Sequence, residues 1–142
     1  MQTKARMRRG TSRWALSVLP WVLLTAGVVG CAAREMAWKR RMDAIREVQQ
    51  LLAGVSRAPD VEAERQAVRH VAQWIMAEGI AVSISAHNRI SGESIPLADI
   101  AGRTGSETAF EIGFDIDRDQ TPEHTYQVCL KVPQHIGLLM NE

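Results

Sequence analysis

The stretch DVEAERQAVRHVAQWIMAEGIAVSI, residues 60–84, changes its period part-way along. Val68, Val71, Ala72, Ile75 and Met76 recur three and four apart, which is the apolar stripe of an amphipathic helix. Asp60 can cap the start of that helix, and Glu62 and Glu64 place negative charge in its first turns, where the helix dipole is positive. Gly79 closes it, because a left-handed C-cap is open to glycine at no steric cost. Beyond Gly79 the period is two. Ile80, Val82 and Ile84 alternate with small residues, as a half-buried strand does. A helix followed by strands of this kind predicts an α+β domain.

Further towards the C-terminus, residues 87–108 are rich in turn formers, with Gly92, Pro96, Gly102 and Gly105, and residues 95–100 leave room for a short edge strand. Phe110, Ile112, Phe114 and Ile116 then alternate with Glu111, Gly113 and Asp115. Tyr126, Val128, Leu130 and Val132 alternate in turn with Gln127, Cys129 and Lys131, until Pro133 stops the run. The loop from Asp117 to His124 predicts that the two runs form an antiparallel hairpin. The expectation for residues 60–142 is a small α+β domain: a three- or four-stranded antiparallel sheet with one helix packed on a face.

Towards the N-terminus, Met36, Trp38, Met42, Ile45, Val48, Leu51 and Leu52 fall at helical spacing between charged residues. They predict an amphipathic stalk helix over residues 34–56, ended by Gly54 and the stretch from Ser56 to Pro59. Before it, residues 14–33 read WALSVLPWVLLTAGVVGCAA, twenty residues without a charge. A helix of that length rises about 30 Å, the thickness of a bilayer's hydrocarbon core. Residues 14–33 are therefore expected to be a transmembrane helix that continues into the stalk. Trp14 and Trp21 at one end and Trp38 beyond the other suit interfacial aromatic belts. Five basic residues flank each side: Lys4, Arg6, Arg8, Arg9 and Arg13 before, and Arg34, Lys39, Arg40, Arg41 and Arg46 after. The leading set is free of acids and resembles a signal anchor, so residues 1–13 are expected on the cytoplasmic side and the domain outside.

Charge divides the chain in two. Residues 1–46 carry ten Lys or Arg against Glu35 and Asp43, whereas residues 47–142 carry seven against fourteen acids. Positive charge around an apolar span fits membrane lipid as a partner. Nucleic acid would need that charge on the folded half, which is acidic, and is excluded. The four histidines show no metal or catalytic spacing, and no phosphate loop or nucleophile elbow is present. The reading is therefore a non-enzyme with no cofactor and no small-molecule substrate. An envelope enzyme would require His87, Asp117 and His124 to converge. Asp115, Asp117 and Asp119 have the spacing of a calcium loop, but Gln120 stands where its glycine belongs and Tyr126 where its bidentate glutamate belongs. A solvated hairpin tip is expected there instead. Cys31 and Cys129 lie in dissimilar settings and predict no disulfide. Val28-Val29-Gly30-Cys31 also has the form of a lipobox, which leaves a second route open: an envelope lipoprotein anchored at Cys31 with a periplasmic binding domain.

Residues 10–54 resemble the N-terminal segment of the Tad (tight-adherence, Flp-type) pilus-assembly proteins, the TadE/TadF/TadG-like group. The likeness rests on Arg9-Gly10, on Ala15-Leu16 running to Pro20 and then Leu23-Leu24, and on the basic helix from Arg34 to Asp43 that reaches Leu51-Leu52-Ala53-Gly54. It implies a single-pass bacterial inner-membrane accessory, pseudopilin-like or TadG-like, with its C-terminal domain in the periplasm. Its partners would be pilus-assembly or other envelope membrane proteins of that or a related secretion apparatus. In the cleaved pseudopilins the cut follows a glycine, here Gly10, and a glutamate stands five residues on; Ala15 takes that place, which fits the uncleaved TadG-like form. Ala26, Gly27 and Gly30 would let the membrane helix approach others closely. The hairpin's last strand, through Tyr126, Val128 and Leu130, is expected to present an edge for β-augmentation, which Tyr126→Pro should break.

Intact mass and N-terminal sequencing of the protein from membranes should find a chain beginning at or near Met1; an acylated Cys31 at the N-terminus would give the lipoprotein route first place.

Overall fold

The computed structural model describes residues 19–140, with side chains from residue 30 onwards. Helix α1 runs from Leu19 to Arg57. The expected stalk lies inside it, and residues 14–18 of the expected span lie outside the described residues. Among the described residues no helix is long and apolar enough to cross a membrane. The chain divides into two compact units, one up to Arg40 and one from Arg41 onwards.

The second unit is built on an antiparallel sheet of four strands: β1 (Ala81–Asn88), β2 (Ser94–Ile95), β3 (Thr108–Asp115) and β4 (His124–Val128), in the order β2-β1-β3-β4. Register follows the predicted alternation. Ala86, Phe110 and Val128 lie across from one another, as do Ile84, Ile112 and Tyr126. These rows face the core, where Phe110 and Phe114 are completely buried. Ser83, Ser85, Glu111, Thr125 and Gln127 occupy the other, exposed face.

Helix α2 spans Val61–Glu78 and is bounded as the residues foretell. The Asp60 carboxylate accepts from the Ala63 amide at 2.7 Å. Gly79, at φ 65°, donates back to the carbonyls of Ile75 and Met76. Val68, Val71, Trp74 and Ile75 bury against the sheet.

Two expectations change. Val48, Leu52 and Val55 of α1 belong to the same core and Ile45 is buried too, so residues 41–57 are part of the domain and two helices, not one, cover the sheet. A stripe this apolar needs a partner surface, and a lone stalk would leave it wet. The second change concerns strand lengths. Pro96 ends the edge strand after Ser94–Ile95, since it has no amide for the ladder, and a 3-10 turn at Leu97–Gly102 follows. β4 likewise stops at Val128, so Leu130 and Val132 lie beyond it.

A buried carboxylate on α2 holds the segment that follows. Glu64 is 2% exposed. Its Oε2 accepts from the Lys131 amide at 2.6 Å, and its Oε1 accepts from the Val132 amide at 3.1 Å. Oε1 also lies 2.9 Å from Nδ1 of His135. The Lys131 ammonium donates to the carbonyl of Ala58, at the end of α1. Residues 131–132, which the sheet register would set opposite residues 107 and 106 outside β3, are held instead by hydrogen bonds to one side chain. The chain then passes through a 3-10 turn, Pro133–Ile136, into the short helix α3 (Gly137–Met140). Gly105 abuts the Leu130 and Lys131 carbonyls so closely that a Cβ there would collide with backbone.

Glu64→Ala leaves the Lys131 and Val132 amides without their acceptor, and should cost about 2–4 kcal/mol in a denaturant titration; Glu64→Gln, which keeps the shape and part of the bonding, should cost about 1–2 kcal/mol.

Candidate protein-interaction edge and acidic hairpin loop

Strand β4 is one outer edge of the sheet, and its five residues include no lysine and no proline. Those are the devices that usually discourage edge pairing. The opposite edge, β2, is only two residues long and is blunted by Pro96. The side chains at β4 divide between its two faces. Val128 is buried, Tyr126 is half-buried, and Leu130, just past the strand, is buried as well. Tyr126 meets Phe114 edge-on, with ring centroids 5.8 Å apart, and stacks on His124 at 6.1 Å. Its hydroxyl is enclosed without a hydrogen bond. Burial pushes Tyr126 above the ordinary tyrosine range, opposed by the nearby Gln49 amide. The residues named for partner contact therefore serve the core. What the edge offers is its main chain, together with exposed Thr125 and Gln127.

The loop that leads into β4 is organised by carboxylates bonded to its own backbone. Asp115 is 8% exposed and accepts from the amides of Asp119, at 3.1 Å, and Gln120, at 2.8 Å. Asp119 accepts from Thr121 at 2.8 Å, and Glu123 reaches back to Ile116 at 2.7 Å. Arg118 and Gln120 take left-handed conformations, φ 60° and 72°, and the Arg118 guanidinium donates to the Gly79 carbonyl at 2.7 Å. Arg41, the first residue of the second unit, pairs with Asp117 and lies 3.4 Å from Glu123.

The structure thus gathers Asp115, Asp117 and Glu123, with ligand oxygens within 4.8 Å of one another, rather than the Asp115, Asp117 and Asp119 of the linear motif. Both Asp115 oxygens are engaged by backbone amides, and Arg41 balances the other two carboxylates. Desolvation, followed by the charges of Asp119 and Glu123, holds Asp117 above the usual carboxylate range, with Arg41 and the Asp119 amide pulling the other way.

His87 and His124 do not converge. His87 pairs with Ala109 at one end of β3, and His124 pairs with Phe114 near the other. Cys31, on α1, and Cys129, just past β4, are both exposed and unpaired. A Cβ added at Gly30 meets nothing within 4 Å. Ala26 and Gly27 lie on α1 ahead of the residues whose side chains are described, and Gly10 lies outside the described residues. Glu123 had no role in the linear reading, and Arg41 entered it only as a membrane-flanking base. For their pairing in the loop the only available hint was charge, which many surface residues share. Comparison with protein-family models, with characterised proteins and with solved structures finds no match.

An NMR titration should place the Asp117 midpoint above the ordinary value near 3.9. Arg41→Gln should raise it further and Asp119→Asn should lower it. Because the folded value is the higher one, protonated Asp117 favours the fold, and this contribution fades as pH rises through the midpoint.

Proposed function

We propose that this chain is a bitopic membrane accessory of a Tad/Flp-type pilus-assembly or related secretion apparatus, pseudopilin-like or TadG-like. Residues 14–33 anchor it in the bacterial inner membrane, and the domain from Arg41 acts in the periplasm by protein–protein contact. The observation that carries the docking role is β4, an edge strand without lysine or proline on a sheet whose other edge is blunted. A partner segment would add to it as a fifth strand, with main-chain bonds supplying affinity and Thr125 and Gln127 helping to select the partner.

The Tad assignment rests on the resemblance over residues 10–54. Support for anchoring by an uncut helix comes from α1, which passes through Cys31 without a break. A lipid-modified cysteine would be expected to lead into a flexible polar linker. The domain's acidic balance, with Arg41 as its internal counter-charge, suits a surface that stays soluble while one edge is available.

Tyr126→Pro would disturb the core as well as the edge, because Tyr126 packs on Phe114 and pairs with Ile112. Charge at the exposed positions is the cleaner test. Thr125→Lys with Gln127→Lys should leave stability within about 0.5 kcal/mol and membrane extraction unchanged, while abolishing co-purification of pilus-machine membrane proteins. Undiminished capture by the folded double variant contradicts edge docking.

A further inference from the structure

Between the apolar segment and the second unit, α1 carries Arg34, Glu35, Met36, Trp38, Lys39 and Arg40, a net charge of +2 from three bases and one acid. Met36 is 62% exposed and Trp38 is 63% exposed. Two nearby basic residues are already engaged: Arg41 with Asp117 and Glu123, and Arg46 with Asp43 at 3.3 Å. Arg34, Lys39 and Arg40 make no ion pair among the described residues.

Helical geometry shows how these side chains are arranged. Successive residues step about 100° around the axis, so Lys39 and Arg40 stand about 140° and 240° from Arg34. The three positive charges therefore point in three directions, with Glu35 about 40° from Lys39 and the other two directions free of acid. Trp38 and Met36 fall about 160° apart by the same count. This is a collar and not a face. A helix lying along a membrane, or in the groove of a protein, would segregate charge from apolar surface. A collar fits surroundings that enclose the helix on every side. From Arg34 to Arg40 the axis rises about 9 Å, close to the depth of one headgroup layer.

We infer that residues 34–40 form a binding collar for anionic phospholipid headgroups around an upright helix, with Trp38 and Met36 seated at the level of the glycerol backbone. The inference rests on the membrane-anchored reading above and adds a lipid class to it. It also accounts for a conflict in the sequence. Basic residues on the exported flank oppose the positive-inside bias. Headgroup pairing gives them a reason to be there, since each Lys or Arg near an anionic surface gains from it.

The test uses the full chain reconstituted into vesicles, with Trp14→Phe and Trp21→Phe introduced so that Trp38 reports the collar. Trp74 stays in the core, and its signal is subtracted with a matched Trp38→Phe sample. Brominated phosphatidylglycerol and brominated phosphatidylcholine are then compared as quenchers at equal mole fraction. The anionic lipid should be favoured at Trp38 by roughly fivefold or more, as expected for basic residues near a charged surface. Arg34→Gln with Lys39→Gln and Arg40→Gln should bring the ratio to about one, as should molar salt. Equal quenching by both lipids in the unmodified collar overturns the inference while leaving the anchor intact. Failure of the chain to float with vesicles of either composition overturns the anchored reading itself.

Discussion

The second unit depends on a carboxylate that water does not reach. Glu64 leaves α2 and meets two backbone amides and an imidazole contributed by residues 131–135. Burying a charge is costly unless its lone pairs are met, and here they are met by the segment that most needs a fixed position. That segment carries Ile136 and Leu139 on to the core formed by Val55, Val68, Val71 and Ile112. Through Lys131 it also satisfies the carbonyl of Ala58, where α1 gives way to α2. One acceptor thus coordinates the ends of both helices, the end of the sheet and the C-terminal helix.

What the sheet presents depends on where its outer strand begins and ends. The alternation from Tyr126 to Val132 would support a strand about twice the observed length, and a longer edge would be a greater aggregation hazard. β4 ends at Val128, which limits the edge to five residues, and Glu64 holds the Lys131 and Val132 amides just beyond it. Upstream, Asp115, Asp119 and Glu123 hold the loop against its own backbone, so the strand begins at a defined place. The edge is therefore short, bounded and in fixed register.

Much of this was legible in the chain. Local rules suffice for Asp60 and Gly79, whose capping roles need only the neighbouring turn, and for the period-two rows through Phe110, Ile112 and Phe114. Glu64 was legible only in part. Its place in the first turns of α2 suggested a solvated dipole partner, and its true partners lie 67 to 71 residues away. The apolar stripe of α1 was visible too, but its assignment to a separate stalk overlooked that Ile45, Val48 and Leu52 have to be covered. At the acidic loop, linear spacing favoured Asp119, whereas the fold of the hairpin turns Glu123 inwards beside Asp115 and Asp117. Each of these departures comes from contact across the chain, which periodicity and spacing do not carry.

Amide hydrogen exchange on the folded chain tests the central claim most directly: that Glu64 fastens the C-terminal segment, beyond a short outer edge strand. The account predicts that the Lys131 and Val132 amides exchange only through global opening, while the outward-facing amides of β4 exchange many-fold faster. Rapid exchange at Lys131 and Val132, or uniform protection along β4, would contradict it.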